Sequence, residues 1–275
     1  MLDPTTLEDY LAAAEEAARR AAVVLHEWRK RFQVREKSPA DLVTDADVAS
    51  QTLIKAYLQE RFPGHGFLGE EGAEIDPVTR ELKPLPADAP PTWIVDPIDG
   101  TANYVHDVPF YCISIGLWLQ GDLRVGVVYD PRMNEMFSAA QGLGAKLNGE
   151  PIHVSPITTL RESMLSTGFP ADPTRSMKNV NWWRKFTERT QSLRRTGSTA
   201  LNMAYVAAGR FDAYWAFDNF VWDVAGGVVL VREAGGQITL VDGGAYDPFR
   251  YDIIATNGAI HAECLEVLKD PPENL

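Results

Sequence analysis

Trp93-Ile94-Val95-Asp96-Pro97-Ile98-Asp99-Gly100-Thr101-Ala102-Asn103 is the stretch on which the reading of this chain turns. Thr92 to Val95 is apolar enough for a buried strand, and Asp96 ends it with a carboxylate. Pro97 cannot donate to a ladder and breaks it there, and Asp99 follows three residues after Asp96. Ends of buried strands are where mixed α/β enzymes place chemistry, because a rigid element aims a side chain into a crevice. Two carboxylates three apart around a proline turn can point at one spot, and they repel unless a cation lies between them. Hard oxygen donors of this kind suit Mg2+, which keeps several waters and shares the rest with phosphate oxygens. The plainer reading makes Asp99-Gly100 a turn and Asp96 a strand-end cap.

Further acids stand at comparable places. Glu70-Glu71 follows the short apolar run Gly66-Phe-Leu-Gly69 and precedes Gly72, at a strand end or in a solvated loop. Asp223, in Trp222-Asp223, opens a helix whose next turns, Val224 to Val231, are almost wholly apolar. It can cap that helix, or hold a metal there while the helix N-terminus faces an anion. Thr44-Asp45-Ala46-Asp47 has the capping-box form and starts a helix expected over Asp45–Gln59, with Ala46, Ala49, Leu53 and Ala56 inward. Before it, Leu7, Leu11, Ala14, Ala18, Ala21, Leu25, Trp28 and Phe32 mark one face of a long helix over 5–32, capped by Thr5 or Thr6. Its alanines suit close packing on the protein's own body better than a coiled coil.

Beyond these acids, Asp76–Pro91 carries five prolines and reads as an exposed loop. Tyr111–Leu119, Leu123–Tyr129 and Glu135–Ala139 follow one another across Gly or Asp turns, which predicts an antiparallel sheet. From Met164 the pattern alternates. Strands are expected at Met164–Thr167, Asp212–Ala216, Gln237–Leu240 and Asp252–Ala255, and helices at Val180–Thr190, Ser198–Ala208, Trp222–Glu233 and Ala259–Leu268. The front half (1–155) thus reads as α+β and the back half (156–275) as α/β, packed as one catalytic unit over 1–275 without a flexible linker.

The chain has 275 residues, of which 45% are apolar and 23% charged, the balance of an ordinary globular protein. Its 26 Lys and Arg against 38 Asp and Glu give a net charge of −12. That argues against a basic nucleic-acid groove and against docking on anionic lipid, but it leaves room for an anionic substrate if a cation intervenes. Cys112 and Cys264 read as reduced thiols, with one disulfide as the alternative. The acidic, helical N-terminus does not read as a signal peptide, and no run reaches the roughly 18 apolar residues of a membrane span. The expected location is the cytoplasm.

Gly69-Glu70-Glu71, Asp96-Pro-Ile-Asp-Gly-Thr101 with Asn103, and Trp222-Asp223-Val-Ala-Gly with Glu233-Ala-Gly-Gly236 together resemble the inositol monophosphatase family of metal-dependent phosphomonoesterases. Asp41-Leu-Val-Thr-Asp-Ala-Asp47 and Gly197-Ser-Thr-Ala-Leu-Asn-Met203 support the resemblance, which runs from about residue 8 to about 268. It implies a layered αβαβα sandwich of the inositol monophosphatase and fructose-1,6-bisphosphatase type, a homodimer, and hydrolysis of a phosphate monoester by in-line attack of a metal-activated water. Two or three Mg2+ ions per site are implied, with Mn2+ substituting and Ca2+ and Li+ inhibiting. By the resemblance, Glu70, Asp96 and the Ile98 carbonyl hold one ion, and Asp96, Asp99 and Asp223 a second. Glu70 and Thr101 orient the water, and Asp47 accepts from the Thr101 hydroxyl; Asp47's competing role is in its capping box, and the Thr101 contact is the favoured one. Backbone N–H groups of Gly100 and Thr101 cradle the phosphate. Asp99 and Asp223 also border the substrate, and Gly197 and Thr199 match positions near its ring.

The resemblance departs at Ala216. Members acting on inositol phosphate typically place a glutamate there, seven residues before the Asp of the Trp-Asp motif. Asp218 could replace it only in a differently bent loop. Trp182-Trp183 could line the pocket mouth, but core packing or a dimer contact fits it better. Inositol monophosphate or a similar polyol or sugar phosphate is the leading substrate expectation. Histidinol phosphate, fructose 1,6-bisphosphate or a 3′-phosphoadenosine nucleotide is the alternative within the superfamily. A regulator working through RNA or transcription partners has only Arg194-Arg195 and Arg184-Lys185 as basic clusters in its favour.

Overall fold

The alternation of small and apolar side chains builds α1 (Pro4–Trp28), which buries Leu7, Ala14, Ala18, Ala21 and Leu25. In the computed structural model, which describes residues 4–38, 41–76, 79, 81–170 and 173–269, this helix ends four residues before the periodicity does. The N–H groups of Arg31 and Phe32 both close on the Trp28 carbonyl, at 2.9 and 3.1 Å, and Phe32 turns inward against the Tyr104 ring, centroids 5.2 Å apart. A hairpin that the sequence reading did not foresee follows, β1 (Val34–Ser38) against β2 (Asp41–Thr44), and leads into α2 (Asp45–Arg61).

Next come β3 (Gly66–Gly69), β4 (Thr92–Asp99), the short helix α3 (Thr101–Val105), and β5 (Cys112–Leu119), β6 (Asp122–Asp130), β7 (Glu135–Ala140), β8 (Ala145–Leu147) and β9 (Glu150–Ile152). The strands form one seven-stranded sheet in chain order, parallel between β3 and β4 and antiparallel elsewhere. Pro97 does not end β4 as the sequence suggested. The strand absorbs it in a register shift between Asp96 and Asp99, and Asp99 resumes pairing opposite Cys112. Pro77, Val78 and Arg80 of the expected proline-rich loop lie outside the described residues.

The remaining elements are β10 (Met164–Thr167), α4 (Pro173–Thr187), β11 (Ser192–Arg194), α5 (Thr199–Ala207), β12 (Ala213–Phe217), α6 (Val221–Glu233), β13 (Gln237–Thr239), β14 (Asp252–Thr256) and α7 (His261–Lys269). Their sheet has the order β11-β10-β12-β14-β13; β10 is parallel to both neighbours, whereas β14 runs antiparallel to β12 and β13. The back half is therefore mixed rather than purely α/β.

Side-chain alternation along the strands sets the layers. Trp93, Ile113 and Val125 face α1 and α2, while Ile94, Val128 and Phe137 face the other way onto α5 and α6. The same middle helices receive Tyr214 and Ala255 of the second sheet, whose far face packs Trp215 and Ile254 with Phe186 of α4 and Cys264 of α7. The result is the expected αβαβα sandwich. Close approach in the middle depends on glycine: a Cβ on Gly126 of β6 would stand 2.3 Å from the Gly226 carbonyl of α6. Trp182 belongs to the core, stacked on Phe217 at 4.8 Å and donating to the Leu268 carbonyl. Both cysteines are buried and free. Among the described residues, no helix is long and apolar enough to cross a membrane.

Candidate active site

Parallel strands finish at the same edge of a sheet, and this brings the first two acids together. β3 and β4 are registered with Gly69 opposite Val95, and the Glu70 N–H donates to the Val95 carbonyl at 3.1 Å. Glu70 and Asp96 thus leave adjacent strands side by side. Asp96 Oδ1 accepts from the Ile98 N–H at 3.0 Å, which closes the bulge on itself. Beyond the bulge, Asp99 meets the start of α5: its oxygens accept from Ser198 Oγ (2.6 Å), the Thr199 N–H (3.1 Å) and the Ala200 N–H (2.6 Å). Those are amides that a helix leaves without internal partners, so one carboxylate ties β4 to α5. Asp223 is the third residue of α6 and its Oδ2 accepts from the Phe220 N–H at 2.7 Å, so its capping role is real.

Gly100 turns the chain from β4 into α3 with φ at 96°, and a Cβ there would come 3.1 Å from the carbonyls of both Gly197 and Phe110. The Asn103 amide donates to the carbonyls of Phe110 (2.7 Å) and Thr196 (2.8 Å), fastening α3 beside the Gly197 turn. The sequence offers Asp47 two competing partners. Asp47 takes both. Oδ2 accepts from the Thr44 N–H (2.8 Å) and Oγ1 (2.6 Å) in the capping box, while Oδ1 lies 3.2 Å from Thr101 Oγ1. The Thr101 hydroxyl is also 3.0 Å from the Ile98 carbonyl.

The acids share one electrostatic environment. Burial pushes the Asp96 carboxyl well above its ordinary value, and Glu70, Asp99 and Asp223 push it further. Asp223 is raised the same way, by burial and then by Glu70 and Asp99. Burial also raises Asp99, opposed by its bonds from the α5 terminus, and lifts Asp47 to about 6. Glu70 rises to about 7, through burial that Lys37 only partly offsets. Lys37 reaches in from β1, its Nζ 2.7 Å from Glu70 Oε1 and 2.6 Å from Glu71 Oε1. Burial works against its charge, but the two glutamates hold the ammonium above its usual pKa. The Glu71 backbone is clasped by Gln51, which donates to its carbonyl (2.6 Å) and accepts from its N–H (2.9 Å).

Among the described residues, no three His, Cys, Asp or Glu side chains are assembled so as to hold an ion by themselves. Each acid is turned onto donors of its own instead: Glu70 onto Lys37, Asp96 onto the Ile98 N–H, Asp99 onto the start of α5 and Asp223 onto the Phe220 N–H. The donor set, all hard oxygen from carboxylates and a backbone carbonyl, still fits Mg2+, which fills the rest of its octahedron with water and phosphate oxygens.

At the start of α5, Thr199 Oγ1 lies 2.9 Å from the Tyr214 hydroxyl and 3.4 Å from Asn219 Oδ1, and Gly197 abuts the Asn103 amide. Ala216 is fully buried in β12, with Gly168 packed closely enough that a Cβ there would stand 3.3 Å from Ala216 Cβ. Asp218 occupies a left-handed turn residue, φ 63°, between β12 and α6. Sequence reasoning missed Lys37, Gln51, Ser198 and Tyr214. Ser198 carried a legible signal, a serine immediately before an apolar helical run; the other three make contacts that no local pattern announces.

The family model for the inositol monophosphatase family matches residues 6–271. An inositol-1-monophosphatase from Synechocystis is 40% identical over 276 residues, covering 99% of this chain and 93% of that protein. The solved structure of extragenic suppressor protein suhB from Bartonella henselae is 36% identical and superposes with a TM-score of 0.86, over 95% of this chain and 99% of that one. The structure of an IMPase/NADP phosphatase complexed with Mg2+ and phosphate is 25% identical over 90% of each chain, with a TM-score of 0.78. With its strand-end acids, five layers and whole-length match, the chain belongs to the inositol monophosphatase family and is a phosphoric monoester hydrolase.

Proposed function

We propose that the chain hydrolyses inositol monophosphate, or a similar small polyol or sugar phosphate, with Mg2+ as its cofactor. One observation carries this: burial raises Glu70, Asp96, Asp99 and Asp223 together, Glu70 and Asp99 push Asp96 and Asp223 up further, and Lys37, engaged by Glu70 and Glu71, is the only cation found touching any of them among the described residues. Such a site calls for added positive charge. The related phosphatase solved with Mg2+ and phosphate supports that choice of ion.

In this reading Glu70, Asp96 and the Ile98 carbonyl would hold one ion, and Asp96, Asp99 and Asp223 another. Bound divalent ions would supply the charge that admits a phosphate dianion, polarise its oxygens and lower the pKa of water. The chain's own residues do the positioning. Asp47 Oδ1 fixes the Thr101 hydroxyl, and Thr101 and Glu70 orient the attacking water. The backbone N–H groups of Gly100 and Thr101 cradle the phosphate at a turn that only glycine allows to pack so closely. Thr199, steadied by the Tyr214 hydroxyl, and Gly197 border the leaving group.

The test is phosphate release from a panel of esters with Mg2+. Asp96→Asn should lower turnover by more than about 100-fold while the melting curve stays cooperative, since it removes the shared ligand. Wild-type turnover by that variant at saturating Mg2+ would sink the ion assignment. Because Ala216 offers no carboxylate to a substrate hydroxyl, the panel includes histidinol phosphate, fructose 1,6-bisphosphate and a 3′-phosphoadenosine nucleotide. Strong preference for one of these overturns the polyol reading and leaves the metal site standing.

A further inference from the structure

Away from the acids, α1 forms one wall of a cavity of about 300 Å³, at the small end of the range for ligand sites. Arg19, Val23 and His26 line it from successive turns of α1 and Arg29 from the turn just after it, and Tyr129 and Arg132 line it from β6 and the turn that follows. Positive side chains converging on a hollow are unexpected on a chain of net charge −12.

The counter-charges are arranged unevenly. Arg19 pairs with Glu15 one turn earlier, at 3.0 Å on the helix surface. Arg29 and Arg132 converge on a single oxygen, Asp107 Oδ1. The Asp107 side chain is 70% exposed, whereas Arg29 and Arg132 are 19% and 32% exposed. The cations are the fixed, inward partners and their shared carboxylate is the loose, outward one. Exposed pairs of this kind are worth little, so a better acceptor can displace Asp107. Two guanidinium forks facing one seat are suited to a tetrahedral oxyanion, which offers both of them paired oxygens. None of the neighbouring acids lines the cavity: Asp107 meets the two arginines from outside it, Glu15 is held by Arg19, and Asp130 is fully buried with its Oδ1 taken up by the Arg132 and Met133 N–H groups.

We propose that this cavity is a second binding site, for a compact di- or trianion of the phosphate class, in which the ligand replaces Asp107 between Arg29 and Arg132 with Arg19 as the third cation. The site has a short route to the chemistry. Asp107 closes the end of α3, its N–H on the Tyr104 carbonyl at 3.3 Å, and α3 begins at Thr101. Tyr104 in turn donates to the Leu25 carbonyl of α1 (2.7 Å) and meets Tyr111, a cavity residue, edge to face at 5.2 Å. Freeing Asp107 releases one anchor of that helix.

The probe is inorganic pyrophosphate, titrated calorimetrically into the full chain after divalent ions are removed on a chelating resin, so that the acid cluster repels the anion. Saturable binding is expected, weakened at least about tenfold by the double variant Arg19→Gln/Arg132→Gln. Val23→Glu, at a position 59% exposed and therefore harmless to folding, should weaken it similarly by placing a carboxylate in the cavity. Asp107→Asn should do the opposite and tighten binding severalfold, because it removes the competing acceptor, and asparagine suits the left-handed backbone there (φ 61°). No saturable heat in the wild type, equal affinity in the arginine and Val23 variants, or unchanged affinity in Asp107→Asn would each overturn the proposal. None of these outcomes bears on the phosphatase reading, which uses different residues and requires the ions.

Discussion

A carboxylate has two oxygens, and several acids in this molecule put them to separate uses. At Asp130, Oδ1 accepts from the N–H groups of Arg132 (2.7 Å) and Met133 (3.0 Å), while buried Oδ2 meets no donor among the described residues. Burial raises this carboxyl to about 6, against roughly 3.9 in an unfolded chain. Between those values the native state binds a proton that the unfolded state has released, so stability falls as pH rises through the window and the cost is complete above about 6. Two pH units correspond to roughly 3 kcal/mol at most. Asp130→Asn abolishes the titration. Its melting temperature minus that of the wild type should therefore climb between pH 4 and pH 6.5 and level off above; a difference independent of pH would show that Asp130 is not the titrating group.

At the scale of elements, the start of α2 joins folding to chemistry, because Asp47 caps the helix with one oxygen and reaches Thr101 with the other. The two roles are separable. Thr44→Ala should cost about 1 kcal/mol of stability, the worth of a cap, with turnover close to wild type. Thr101→Val should leave the melting curve in place and depress turnover. The sequence reading forced a choice between these roles because it assigned one partner per residue. Elsewhere, its success followed the size of the apolar signal. β5, β6, β7 and α6 bury long apolar runs and were legible. The span of α2 was legible too, but not its face: it buries Ala46, Ser50, Ile54 and Leu58, whereas Ala49 and Leu53 are half-buried and Ala56, expected inward, is exposed. The β1–β2 hairpin was not, since Val34-Arg-Glu-Lys37 shows no apolar alternation. Asn148-Gly149 between β8 and β9 was a fair hairpin signal, but the flanking strands of three residues each are too short to show a period. α4 begins seven residues before its expected start, because Pro173-Thr-Arg-Ser-Met-Lys-Asn179 is mostly polar. The site acids were readable because each ends or opens an element. Lys37 was not, since its partners lie 33 and 34 residues away and the hairpin that delivers it was itself unseen.

For the molecule as a whole, the site lies where the middle helical layer meets the edge of the large sheet. The N-termini of α5 and α6 both arrive there, each presenting amides to an acid, and the positive ends of two helix dipoles help a crowded anionic site to exist. That arrangement spans the chain: Asp99 and its donors on α5 are about 100 residues apart, and Asp223 is farther still. The centre is thus complete only after both sheets have docked on the helices between them, and contacts of such long range form late and slowly. First-turn amides of a helix usually lose their protons to solvent by fraying. Those of Thr199 and Ala200 are locked to Asp99 from another layer, so in deuterated water they should exchange as slowly as the central strands, reporting the opening of the whole sandwich. Substituting Asp99 by alanine should return them to the fast class, which makes two backbone protons a gauge of whether the layers are shut.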